Sequence, residues 1–122
     1  MKIIKSFVFA WHGLKICFTS ETNFKIHVLA SIVALLLGAV LNISVAEWLV
    51  IIFCIAFVAA MEMVNTALEK LCDVVHEDSH PGIKGVKDIA AGAVLISAIC
   101  SLIIGLIVFI PKIIMYIKSF QN

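Results

Sequence analysis

A short polar stripe gives this chain the means for acid–base and metal chemistry. Within MEMVNTALEKLCD, Met61 to Asp73, the residues Glu62, Asn65, Glu69 and Asp73 follow one another at spacings of 3, 4 and 4, which puts them on one face of an α-helix. A carboxylate at the right depth can take a proton from an attacking hydroxyl. Carboxylate oxygens also suit Mg2+, which is commonly held by one or two of them together with phosphate oxygens. Two further groups fit that chemistry. One is Glu21, in the polar stretch TSETNFK, and the other is the pair Lys87 and Asp88, whose lysine can meet phosphate as a point charge. The stretch HEDSH, His76 to His80, matches the H-E-x-x-H zinc pattern. Pro81 follows at once in a short polar connector, and no third ligand is in sight, so zinc is not expected.

The elements that must hold these residues belong in a membrane. The chain has 122 residues, 63% of them hydrophobic and 14% charged, with a mean hydropathy of +1.17, and this excludes an ordinary soluble domain. Residues 2–20 set Phe7, Trp11, Leu14 and Phe18 on one face and Lys5, His12 and Lys15 on another. That is the pattern of an amphipathic helix lying in the membrane surface. Its start imitates a signal peptide but carries no A-x-A cleavage motif, and it is read as retained. Three apolar runs follow, at about 26–41, 45–71 and 88–110. The first is short against the roughly 20 residues a span needs. The second opens on SVAE, Ser44 to Glu47, which has the S-x-x-E form of a capping box, and Pro111 is expected to end the third. Residues 1–122 are therefore expected to form one all-α membrane domain, a surface helix followed by three transmembrane helices.

Charge sets the orientation. Seven of the nine lysines lie within positions 2–25 and 70–87, regions that should face the cytoplasm. The tail with Lys112 and Lys118 then lies outside. Counting 1.5 Å per residue from Ser44 puts Glu62 roughly 25 Å along its helix, near the cytoplasmic edge of a hydrocarbon core about 30 Å thick. A carboxylate at mid-membrane costs about 2.5–3.5 kcal/mol on insertion scales, less toward the edge. A frayed helix end accounts for Asp73 but poorly for Glu62, so Glu62 calls for a function. Glu69 and Glu21 should share a shallower depth, where two facing carboxylates make a seat for Mg2+. On the third span Ala93, Ser97, Ser101 and Gly105 recur every four residues, a small-residue stripe suited to helix packing. Cys17, Cys54, Cys72 and Cys100 are scattered without a C-x-x-C pair and read as packing residues.

These motifs carry a resemblance. EMVNTALE, a short connector containing HP, and then KDIAAGAV, together with AWHGLK and the elbow ETNFKIH upstream, resemble the small bacterial membrane lipid kinases of the prokaryotic diacylglycerol kinase and undecaprenol kinase family. The resemblance covers nearly the whole chain. It implies a homotrimeric bundle of three-span protomers in the bacterial cytoplasmic (inner) membrane, with the active site facing the cytoplasm and the γ-phosphate of ATP passing to a lipid hydroxyl. By position, Glu62 is similar to the family's catalytic base and Asn65 to a polar active-site residue. Glu21 and Glu69 are similar to its metal ligands, which also face the nucleotide. Lys87, Asp88 and the connector residues Asp78, Ser79 and His80 resemble nucleotide contacts, and Lys2 matches a basic position there. Trp11, Asn23, Phe24 and His27, with Glu62, are where the lipid would be recognised. The implied partners are ATP with Mg2+, a lipid alcohol, the membrane and further copies of the chain, with no nucleic acid.

ETNFKIH and NTALEK look more like undecaprenol kinases than diacylglycerol kinases, which makes undecaprenol the expected acceptor and diacylglycerol the alternative. Two readings from other classes stand further off. An ion-coupled transporter would carry a lone carboxylate at mid-membrane, whereas this stripe is graded toward one surface. A purely structural membrane subunit leaves Glu62 unexplained.

Overall fold

A computed structural model of the chain describes residues 2–75 and 80–122. Four helices follow in order: α1 (Lys2–Ser20), α2 (Thr22–Leu41), α3 (Val45–Val75) and α4 (Pro81–Gln121). The last three are long and apolar enough to cross a membrane, and side chains such as Leu36, Phe53, Leu102 and Ile107 point away from the protein. In water such a surface would be untenable. The chain is an all-α membrane protein with an N-terminal helix that leaves Phe7, Trp11 and Phe18 uncovered and buries only Cys17.

Glu21, in extended backbone, caps the elbow between α1 and α2. The residues TNFK form the first turn of α2, so this helix has 20 residues and is longer than the run 26–41 expected from the sequence. At its far end Asn42 adopts the left-handed conformation with φ 53°, one that asparagine tolerates better than most side chains. The Ile43 N–H donates to the Gly38 carbonyl at 3.2 Å. Ser44 and Glu47 then form the reciprocal capping box that S-x-x-E announces: the Glu47 N–H donates to Ser44 Oγ at 3.2 Å and the Ser44 N–H to Glu47 Oε1 at 3.0 Å. Gly38 is required here by close approach, because a Cβ at that position would lie 2.7 Å from the Trp48 ring.

An apolar core fills this turn end of the bundle, where Ile43, Ile51, Val108 and Phe109 are buried with Leu37, Trp48, Ile104 and Ile113 around them. The buried polar residues Glu62, Thr66 and Ser97 all lie further toward the elbow end. The stripe on α4 divides in the same way. Ser97 is buried, whereas a Cβ added at Gly105 would meet nothing within 4 Å among the described residues, so close packing does not require a small residue there.

Pro111 does not end the third span, contrary to expectation. The helix runs through it to Gln121, giving α4 41 residues. Proline deletes one N–H and crowds one carbonyl, but the turns on either side are held by packing. Val108 and Phe109 before it and Ile113 after it all join the core, and Lys112 Nζ lies 3.4 Å from the Glu47 carboxylate. The pyrrolidine ring itself faces outward.

Candidate active site

Helix α3 carries the stripe, and its neighbours assign each member a different environment. Glu62 is only 4% exposed. His27, one turn beyond the buried Phe24 on α2, brings its Nε2 to 3.1 Å from Glu62 Oε1. One turn further along, Asn65 donates its side-chain N–H to Glu69 Oε1 at 3.3 Å, while its own Oδ1 is buried without a hydrogen-bond partner among the described residues. Asp73, at the end of the stripe, meets Lys87 Nζ at 2.7 Å across the connector. Lys87 lies in the polar head of α4, before the apolar stretch that starts at Ile89, and its hydrogen bond to Asp73 raises the ammonium pKa above the ordinary lysine value.

The remaining site candidates are distributed around this axis. His80 caps α4, its Nδ1 accepting from the Gly82 N–H at 3.0 Å. Asp88 pairs with Lys84 at 2.7 Å in an exposed i,i+4 bridge, an arrangement worth little by itself. Glu21 is half-buried at the elbow, and its side chain makes no capping bond. Asn23 is exposed beside it, as is Lys2 at the start of α1. Trp11 is exposed too, with Lys15 Nζ 5.8 Å from its ring centre. Asp78 and Ser79 lie outside the described residues, as do His76 and Glu77 of the zinc-like pattern. Among the described residues no three His, Cys, Asp or Glu side chains gather closely enough to hold a metal alone.

A cleft of about 580 Å³ opens between α2, α3 and α4, with His27 at its elbow end and Cys54, Val58, Ser101, Gly105 and Phe109 along its walls. It is long, apolar and open on one side, and its polar end is the end where Glu62 is buried. A smaller hollow, bounded by Asn65, Leu68, Val86 and Ala90, lies between α3 and α4. The stripe therefore separates an apolar slot from an ionic region.

Two relationships were not read from the sequence. The spacing that gathered Asp73 into the stripe gave it no task, and its pairing with Lys87 appears only once α4 folds back along α3. His27 was placed among groups facing a lipid. Its contact with Glu62 depends on how α2 and α3 are rotated about their axes, which an apolar run does not encode.

Comparison with known proteins gives the family. The family model for prokaryotic diacylglycerol kinase matches residues 8–109. An undecaprenol kinase of Bacillus subtilis is 39% identical over 91% of this chain and 90% of its own length. A diacylglycerol kinase of Synechocystis is 33% identical over 89% of the chain and 63% of its own length, and the diacylglycerol kinase of Escherichia coli K12 is 26% identical over 84% of each. With a buried carboxylate against the histidine that lines an apolar slot and a family match across most of its length, the chain belongs to the prokaryotic diacylglycerol kinase family and is a membrane lipid kinase that uses ATP.

Proposed function

We propose that this kinase phosphorylates undecaprenol, taking the γ-phosphate of Mg·ATP at the cytoplasmic face of a bacterial inner membrane. The observation that carries this reading is Glu62, buried 3.1 Å from His27 where the apolar cleft meets the polar end of the bundle. A lipid alcohol whose tail follows the slot presents its hydroxyl at that point. Glu62 takes the hydroxyl proton as the oxygen attacks the γ-phosphorus, the new O–P bond forms, and the bond to ADP breaks. Phosphoryl transfer asks mainly for positioning and charge neutralisation, and the residues further along α3 supply these.

The donor set suits Mg2+. Glu69 has one carboxylate oxygen turned to Asn65 and another uncommitted, and Asn65 Oδ1 is a buried oxygen without a partner among the described residues. Hard oxygens of this kind, completed by phosphate, are what Mg2+ takes. Glu69 and Glu21 would hold the ion, which neutralises phosphate charge when bound. Lys87, now on Asp73, turns to the nucleotide phosphates, with Asp88, Lys2 and the connector residues Asp78, Ser79 and His80 around it. Trp11, Asn23, Phe24 and His27 border the lipid.

A homotrimer completes the site. One protomer leaves its metal and nucleotide groups dispersed and its cleft open on one side, so a neighbouring copy is needed to enclose them. The number three rests on the family resemblance. The Bacillus undecaprenol kinase, at 39% identity, supports undecaprenol over diacylglycerol. The test is a competition assay in mixed micelles with both lipids and labelled ATP, read as the ratio of kcat/KM values. A several-fold preference for diacylglycerol would replace the lipid and keep the kinase.

A further inference from the structure

We propose that His27 is the positioning residue of the base: its Nε2, 3.1 Å from Glu62 Oε1, fixes the carboxylate and leaves Oε2 for the acceptor hydroxyl. This rests on the reading of Glu62 as the base. A ring nitrogen and a carboxyl oxygen 3.1 Å apart share one hydrogen, carried by one or the other, because two facing lone pairs would repel. Among the described residues the contact with His27 is the one polar interaction of Glu62, so the alignment of a buried carboxylate depends on one imidazole. The imidazole is itself well placed. It projects from α2 three residues after Phe24, which is 5% exposed, so the buried phenyl ring anchors the face of α2 that presents His27. The histidine side chain keeps 30% of its surface open and forms the polar end of the cleft, so it stands between the base and the place where a lipid enters.

Glutamate is a long side chain with several rotors. Without its one polar contact, the carboxyl group in apolar surroundings loses its preferred direction. Loss of the one polar contact to a buried carboxyl group corresponds to roughly a ten- to hundredfold effect on rate.

The experiment compares the full chain, reconstituted in mixed micelles, with its His27→Leu, His27→Gln and His27→Asn variants, reading kcat and the KM for lipid and for ATP separately. His27→Leu should lower kcat roughly ten- to a hundredfold with the KM for ATP unchanged. Glutamine, whose amide N–H can occupy the place of Nε2, should regain most of the loss. Asparagine, polar but too short to reach Glu62, should not, and it replaces the leucine variant in the comparison should that variant fail to assemble. Equal loss in the glutamine and leucine variants would overturn the assignment, as would a rise in the lipid KM with kcat unchanged. Glu62→Gln, measured alongside, separates the two claims. If it is inactive while His27→Leu works normally, only the role of His27 fails, and if it turns over normally the base itself was misassigned.

Discussion

Replacing Glu62 by glutamine tests the centre of the mechanism with the least disturbance. The amide has nearly the same shape, and its carbonyl oxygen can still accept from His27, so the contact between α2 and α3 survives. It keeps the size of a side chain that is only 4% exposed and should leave the helices as well packed. What is lost is basicity. General-base catalysis contributes about 10²–10⁴-fold, equivalent to about 3–5 kcal/mol in the barrier at 1.36 kcal/mol per tenfold, and kcat should fall by that factor. ATP binding should not follow. Glu69 is seven residues further along α3, about 10 Å at 1.5 Å per residue, and Lys87 lies beyond it, so the KM for ATP should stay within roughly threefold, since no charge-assisted contact to the nucleotide is removed. The assay is labelled phosphate transfer to lipid in mixed micelles, with nucleotide binding measured by calorimetry on the same preparation. Retention of a fifth or more of the wild-type kcat would refute Glu62 as the base. A parallel loss of nucleotide affinity would place it in the ATP site instead.

Three further outcomes are expected. Glu69→Gln and Glu21→Gln should each raise the Mg2+ concentration needed for half-maximal activity, by about tenfold for the loss of one charged ligand, and an unaltered metal titration in both would put the ion elsewhere. Gly38→Ala should be less stable than Gly105→Ala by about 1–3 kcal/mol in denaturant unfolding. Both gain helix propensity, but only the first drives a Cβ to 2.7 Å from Trp48. The active species should have the mass of three chains in detergent or nanodiscs, and a fully active monomer would dispose of the shared site.

Where local chemistry decides the outcome, the sequence was informative. S-x-x-E declares a helix start because its two side chains bond backbone groups within one turn, and the stripe from Glu62 to Asp73 declares a face because helical periodicity is fixed. Fold class and family followed from such local signals. The start of α2 was misread by four residues, since TNFK looks like a linker by hydropathy although nothing in it opposes a helix. Pro111 misled for the opposite reason: its local preference is strong, and only packing on both sides of it, by Phe109 and Ile113, overrides that preference. The contacts of His27 with Glu62 and of Asp73 with Lys87 lie beyond either kind of signal. Each joins two helices, and the rotation of one helix against another is not written in the apolar pattern of either.

The bond between Glu47 and Lys112 at the turn end turns α3 into a depth gauge. Two opposite charges on neighbouring helices, one of them within a capping box, suit the headgroups of one leaflet and should hold that level of the protein there. Glu62 lies 15 residues away, about 22 Å along a rigid helix. In a bilayer with a hydrocarbon core of about 30 Å, that leaves the carboxylate some 8 Å short of the opposite boundary, at a depth the protein has set from the far side. Thickening the membrane sinks the base away from water and from a hydroxyl held at the interface, and thinning it lifts the base into the headgroups. Turnover should accordingly peak at one acyl-chain length across a series of phosphatidylcholine vesicles, and breaking the anchor with Lys112→Gln should flatten that peak: hydrophobic matching would then govern the rate of a reaction whose chemistry takes place at the other surface.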